Sequence, residues 1–333
     1  LGAKKGCKQI GAVLAVLFCC FCLLASFGIG NMTQVNTIAT NMLDAFSIPK
    51  FVTGIAVLIL VGLVVVGGLK RIAAVTEKIV PAMVIIYILG TIVICLMHIS
   101  SMGAVFASIF KGAFGLKAVG GGIVGSGVKL AVQMGMKRGV FSNEAGLGSS
   151  VRVHSNSNVK EPVRQGMWGI FEVFADTIVV CTLTALSVLS SGFIDLETGK
   201  VVDSVTNTGS LVGQAFGATF GQIGTGFVAI ALLLFAFSTV LGWSHYGTKA
   251  FEYLFGTKST IIYKVIFVLA VFGGAVMGEN LAWDLSDTFN GLMMIPNLIG
   301  VLVLSPLVYK CTKNYCDRHL YHKDIEPMLS VYS

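Results

Sequence analysis

Charge is what this sequence has least of. Asp, Glu, Lys and Arg make up 12% of its 333 residues, about half the share of an ordinary soluble domain, and this excludes a soluble enzyme. No His-Glu-x-x-His, Gly-x-Ser-x-Gly or Gly-Lys-Ser/Thr motif occurs, and no long polar segment is present to form a nucleotide domain. Common membrane hydrolysis and ATP-driven transport are disfavoured accordingly. The eight cysteines fall mostly inside apolar runs, and Cys311 with Cys316 has no second Cys or His pair to complete a metal pattern, so neither a disulfide framework nor a zinc site is indicated. The net charge of +7 comes from Lys and Arg scattered between apolar runs, which argues against a nucleic-acid partner. There is no initial Met, and the first apolar run is too long for a signal peptide and has no small-residue cleavage site. The start reads as the middle of a longer protein.

What is present is hydrophobicity, 55% of residues with a mean hydropathy of +0.85. Residues 10–30, 51–69 and 79–99 contain no Asp, Glu, Lys or Arg, and each has the length a membrane-crossing helix needs. The pattern predicts an all-α multi-spanning membrane protein with eight spans, at about 10–42, 51–69, 79–99, 119–150, 165–190, 222–247, 260–277 and 291–310. With a cytoplasmic N-terminus, sixteen basic residues fall in inside segments and four (Lys50, Lys111, Lys117, Lys200) in outside ones, as the positive-inside rule requires. Both ends are then cytoplasmic, with 311–333 a short charged tail. Lys129, Lys137 and Arg138 lie inside the fourth span. The outside connections 100–118 and 191–221 are rich in Gly, Ser and Phe and predict surface-lying helices or lids. Gly213, Gly217 and Gly221, like Gly121 and Gly125, recur every four residues and predict close helix packing.

Polar residues on spans are costly, and they mark either function or interhelical bonding. In GIGNMTQVNTIATNM, Asn31, Gln34 and Asn41 share one helix face by spacing, suited either to a polar substrate or to bonding between helices. In GMKRGVFSNEAGLGSS (135–150), glycines, basic residues and Glu144 interrupt the fourth span. A broken helix at membrane depth lines a cavity and offers backbone groups to ions and substrates, unless the helix simply ends early or turns back. Ser238 and Thr239 sit side by side on the sixth span, where two hydroxyls suit a small hard cation or bond back to their own helix. Glu172 and Asp176 lie one turn apart on the fifth span. They suggest a gate, a proton step, a salt bridge to Arg138, Arg152 or Arg164, or groups that reach water near a helix end. His98 and His245 lack partners at metal-ligand spacing and read as structural.

The stretch 135–150 is similar to the signature of the alanine or glycine:cation symporter family, the sodium:alanine symporters. FGIGNMTQ (27–34), RQGMWGIFEVFADTIVVCTLTAL (164–186), FSTVLGWSHYG (237–247) and WDLSDTFNGLMMIPNL (283–298) resemble family segments in the same order, so the likeness covers nearly the whole chain. His245 stands where the family leads one to expect an aromatic residue. The resemblance implies a LeuT-type inverted-repeat transporter fold of two five-helix repeats. Residues 10–99 would be the last three helices of the first repeat and 119–310 the whole second repeat, with the first two core helices expected before Leu1. It further implies sodium-coupled symport of a small neutral amino acid, alanine or glycine, across the plasma membrane, a bacterial inner membrane, with sodium co-transported and no cofactor. Ser238 and Thr239 would bind the cation, and Asn31, Gln34, Phe141, Ser142 and Trp243 the substrate. Arg138, Glu144, Glu172 and Asp176 would be gating or structural charges, Glu144 bracing the break against Arg138. An inactive fragment of such a carrier and a proton-coupled carrier using Glu172 and Asp176 are the competing expectations.

Overall fold

The computed structural model describes residues 8–114, 122–203, 205 and 208–329. Every extended element among them is helical. The first is α1 (Lys8–Phe27), continuing through a π-helical segment, Gly28–Met32, into α2 (Thr33–Phe46). Ser47 ends α2 in the left-handed conformation (φ 57°) with its amide bonded to Leu43 O at 2.8 Å, and Pro49, with no N–H to leave unpaired, leads into α3 (Lys50–Val66). α4 (Gly68–Met97) and α5 (Ile99–Phe114) follow, then α6 (Gly122–Asn143). After a break at 144–150 comes the single turn α7 (Val151–His154). α8 (Pro162–Val173) runs through a second π segment, Phe174–Cys181, into α9 (Thr182–Ser190). The last helices are α10 (Leu211–Phe220), α11 (Gln222–Phe255), α12 (Thr260–Val276) and α13 (Glu279–His319).

Among the described residues, six helical stretches are long and apolar enough to cross a bilayer: Lys8–Phe46, Lys70–Met97, Pro162–Ser190, Gln222–Phe255, Thr257–Val276 and Glu279–His319. This is a multi-span membrane protein. The expected second span is α3, a shorter apolar helix of 17 residues, and the expected fourth is α6 with its break. Several helices outrun their apolar runs. α4 includes Lys70, Arg71 and Lys78, and α13 begins at Glu279, well before residue 291, because a helix that leaves the hydrocarbon needs no apolar residues to persist. The connections expected outside, 100–118 and 191–221, contain the helices α5 and α10. Gly217 of the four-residue repeat packs on α11, where a Cβ would meet the Thr225 hydroxyl, whereas Gly221 (φ 62°) makes the turn between α10 and α11. Gly121, Lys4, Lys5 and Lys117 lie outside the described residues.

The core is centred on α11, which packs against α1, α2, α10 and α12. Val35, Ile38, Val61, Val240, Leu241, Phe267 and Val271 close one cluster, and Cys22, Ile29, Leu147, Trp243 and Met293 a second. Small residues let backbones approach, as membrane helix packing requires. A Cβ on Gly274 of α12 would sit 2.7 Å from Met32 Cα, and one on Gly30 would collide with the Trp243 side chain.

At the Lys- and Arg-rich end, Arg318 on α13 pairs with Glu161 at 2.5 Å, just before α8. Asn314 takes the Arg318 Nε–H at 3.1 Å and the Met328 amide at 3.1 Å, tying down the tail. The hydrogen bond from Arg318, reinforced by the charges of Arg318, His319 and Arg164, holds the Glu161 carboxyl below the ordinary 4.5. Because the folded value is depressed, the pair contributes its stability in full above pH 4.5 and loses it as pH falls through the lower folded value. The Tm advantage of wild type over Glu161→Gln is expected to hold from pH 7 to 5 and to shrink by pH 3. A constant difference across that range would show that the pair is not the titrating element.

Candidate functional site

The break at 144–150 is built by conformation and then fixed by side chains. Glu144 (φ 54°), Gly146 (φ 82°) and Gly148 (φ 80°) all adopt the left-handed region, which a continuing right-handed helix cannot contain. The Ser149 hydroxyl donates to Glu144 Oε2 at 2.7 Å, and Leu147 packs in one buried cluster with Trp243 of α11 and Met293 of α13. From the other side, Asn297 Nδ2 donates to Gly146 O at 2.8 Å, and its side chain fills the space where a Cβ on Gly148 would stand. The break is thus clamped between α11 and α13. Within it Glu144 takes the Ser149 hydroxyl and makes no pair with Arg138, the partner suggested for it.

Arg138 instead turns to α13. It pairs with Asp287 at 3.2 Å and lies 4.2 Å over the Trp283 ring, with Phe141 packed 5.1 Å from the same ring. Lys137 reaches Asp287 at 3.4 Å. Ser142 donates to Asp176 Oδ2 at 2.5 Å, and Asn143 Nδ2 approaches Thr177 Oγ1 at 3.5 Å. Glu172 pairs with His154 at 3.3 Å. The two carboxylates therefore serve different partners, neither of them Arg138, Arg152 or Arg164; the π segment that starts at Phe174 takes in Asp176 but not Glu172 and shifts the helical phase. Arg152 donates to Tyr246 O at 2.9 Å.

On α11, Ser238 Oγ and Thr239 Oγ1 both donate to Phe235 O, at 2.8 and 3.1 Å. One shared acceptor brings the two hydroxyl oxygens together, with their protons committed and their lone pairs free. Thr239 lies four residues before Trp243 and so shares its face. Trp243 is 2% exposed and stacked directly on Gly30, which links the break to the first π segment. There Asn31 donates to Phe267 O at 2.7 Å, while its Oδ1 is buried without a partner. Gln34 Nε2 bonds Ile29 O at 3.0 Å in its own helix, and Asn41 reaches Gly209 O at 3.2 Å. The amides expected on one face thus have three destinations.

Residues 3–328 match the model of the sodium:alanine symporter family. The chain belongs to that family. The relatives it matches are named as symporters, carriers or transporters. This symporter-family chain is 42% identical over 308 residues to the sodium/alanine symporter AgcS of Methanococcus maripaludis, covering 92% of itself and 66% of that relative. It is 36% identical over 315 residues to the amino-acid carrier protein AlsT of Bacillus subtilis, covering 93% of itself and 63% of AlsT. It is also 36% identical over 310 residues to the sodium/proton-dependent alanine carrier protein of Bacillus sp. PS3, covering 90% of itself and 69% of that protein. The chain therefore spans just under two thirds of the length of the first two.

The structure of this family member also brings in residues that spacing did not single out. Asp287 and Trp283 receive Arg138, Asn297 pins the break, and Thr33 is joined to Ser286 by a hydroxyl contact between α2 and α13. Asn36 donates to Gly274 O at 3.1 Å and Met277 O at 2.7 Å. Asp287 carried a readable signal, the last of three carboxylates before the apolar run of α13.

Proposed function

We propose that the protein carries a small neutral amino acid, alanine or glycine, across the bacterial inner membrane together with sodium, by alternating access within a LeuT-type inverted-repeat fold. In this reading 10–99 belongs to the first repeat, 119–310 forms the second, and both ends are cytoplasmic. The observations that carry it are the break at 144–150, packed against Trp243 of α11 and bonded by Asn297 of α13, and the Ser238–Thr239 pair on the same α11. A helix interrupted at membrane depth, held by α11 and α13, supplies free backbone groups, and the paired hydroxyls supply hard oxygen donors for a cation. Sodium accepts lone pairs from Ser238 Oγ and Thr239 Oγ1 without disturbing the bonds those hydroxyls donate to Phe235 O. The substrate's polar groups meet Gln34, Ser142 and the one unpartnered atom of Asn31, its Oδ1, with Phe141 and Trp243 forming the apolar wall. Arg138, Glu144, Glu172 and Asp176 hold the broken segment and its neighbours through the pairs described above and touch no substrate.

Coupling requires each ligand to favour the conformation that binds the other, by the same factor. Isothermal titration of alanine at rising sodium is expected to show affinity increasing until sodium saturates, and sodium titrated at rising alanine is expected to show an equal gain. Alanine affinity independent of sodium contradicts the assignment. Proton coupling is the competing reading, favoured by the 2.5 Å Ser142–Asp176 contact beside the break. It requires uptake driven by a pH gradient without sodium.

A further inference from the structure

A cavity of about 240 Å³ lies near the Lys- and Arg-rich end of α11, apart from the break. Lys249, Lys264, His245, Asn156, Thr248 and Thr260 line it. Lys249 is paired with Glu252 at 2.8 Å, and Lys264 has no carboxylate partner among the described residues, so the ring is net positive. Thr260 opens α12, whose preceding Ser259 makes no side-chain cap and whose first turn carries no acidic residue. The Thr260 amide bonds Thr257 O in the 3-10 turn Thr257–Ser259 that leads into α12, and no acidic residue in that start offsets the positive dipole end. His245 adds an independent observation: it is 7% exposed, and its Nε2 is buried with no hydrogen-bond partner. An adjoining cavity of about 350 Å³ shares Asn156 and Lys249 and adds Arg152, which has no carboxylate partner among the described residues either.

Two lysines, a helix start with no acidic residue and an unpartnered imidazole nitrogen form a seat for an oxyanion. They disfavour a cation. They disfavour an amino-acid zwitterion as well, because the one carboxylate present, Glu252, is already paired. Val65 and Ile72, on apolar α3 and α4, complete the wall and give an acyl chain a path toward the bilayer. We propose that this cavity seats the phosphate group of an anionic phospholipid in the leaflet on the Lys- and Arg-rich side, as basic pockets between membrane helices do. The site is independent of the cation pair at Ser238 and Thr239.

The test is thermal melting of the full-length protein in detergent, titrated separately with tetraoleoyl cardiolipin, dioleoylphosphatidylglycerol, dioleoylphosphatidylcholine and inorganic phosphate at constant ionic strength. The two anionic lipids raise Tm saturably and phosphatidylcholine does not. Replacing both Lys249→Gln and Lys264→Gln raises the half-saturating lipid concentration about thirtyfold, the factor for two lysine contacts to an anionic headgroup. Lys313→Gln, a charge at the same end outside the cavity, leaves it unchanged. His245→Phe, which keeps a ring and deletes the nitrogen, weakens the lipid response and supplies the reading if the double variant does not fold. Equal responses to phosphatidylcholine, or an unchanged lipid response in both the double variant and His245→Phe, overturn the proposal. Saturable protection by inorganic phosphate alone overturns the lipid assignment in favour of free phosphate.

Discussion

Replacing Ser238 and Thr239 together with Ala is expected to abolish the sodium dependence of alanine transport while leaving the fold in place. The separation of the two effects follows from geometry. Each hydroxyl's hydrogen bond goes to a carbonyl of its own helix, Phe235 O, at 2.8 and 3.1 Å, and a bond of that kind contributes about 1 kcal/mol or less to stability. Neither hydroxyl bridges to another helix. As ligands to a charged partner, the same oxygens are worth about 1.5–3 kcal/mol each, so removing one lowers sodium affinity at least about tenfold and removing both about a hundredfold or more. Tm measured by differential scanning, alongside the sodium concentration for half-maximal uptake, distinguishes the cases. A variant with wild-type Tm and wild-type sodium dependence removes these residues from the cation site. A large fall in Tm would give the hydroxyls a structural role that their bonds do not show.

Gly148→Ala is expected to cost about 2–5 kcal/mol and to eliminate transport, whereas Gly135→Ala, thirteen residues earlier in the same stretch, is expected to be close to neutral. At Gly148 the backbone is left-handed (φ 80°), where a Cβ costs about 1–2 kcal/mol. The added methyl also overlaps the Asn297 side chain, an overpacking worth about 1–3 kcal/mol. Asn297 cannot yield freely, since its Nδ2 holds Gly146 O at 2.8 Å; if it moves, the clamp on the break goes with it. At Gly135, in the middle of α6, nothing lies within 4 Å of the added atom, and Ala is the better helix former. Melting temperature and uptake of both variants, compared side by side, check the claim. Equal effects at the two positions would mean that the break is not held as described.

The apolar runs and the break at 144–150 are legible from the sequence because hydrocarbon tolerates neither charge nor unpaired backbone, and both constraints leave marks in composition. Helix ends are less legible. Glu279, Asp284 and Asp287 lower the hydropathy of a segment that α13 nonetheless includes, and Asp287 is accommodated by Lys137 and Arg138 from α6. The two π segments leave no residue signature, yet they decide the local geometry. One begins after Glu172 and takes in Asp176, and the other carries Asn31 against α12 and Gly30 against Trp243. Spacing arithmetic at 3.6 residues per turn could not anticipate either. The Ser238–Thr239 pair is visible as a pair, but that both hydroxyls share one carbonyl emerges only from the coordinates. Asn297 looked unremarkable after Pro296 because its partner, Gly146, lies 151 residues away.

The most direct measurement is uptake of radiolabelled alanine into proteoliposomes containing the protein, under an inward sodium gradient, an inward proton gradient without sodium, and neither. The account predicts accumulation under the sodium gradient alone, collapsing when sodium is equalised across the membrane. Uptake that follows the proton gradient and ignores sodium would contradict it and turn attention to Asp176.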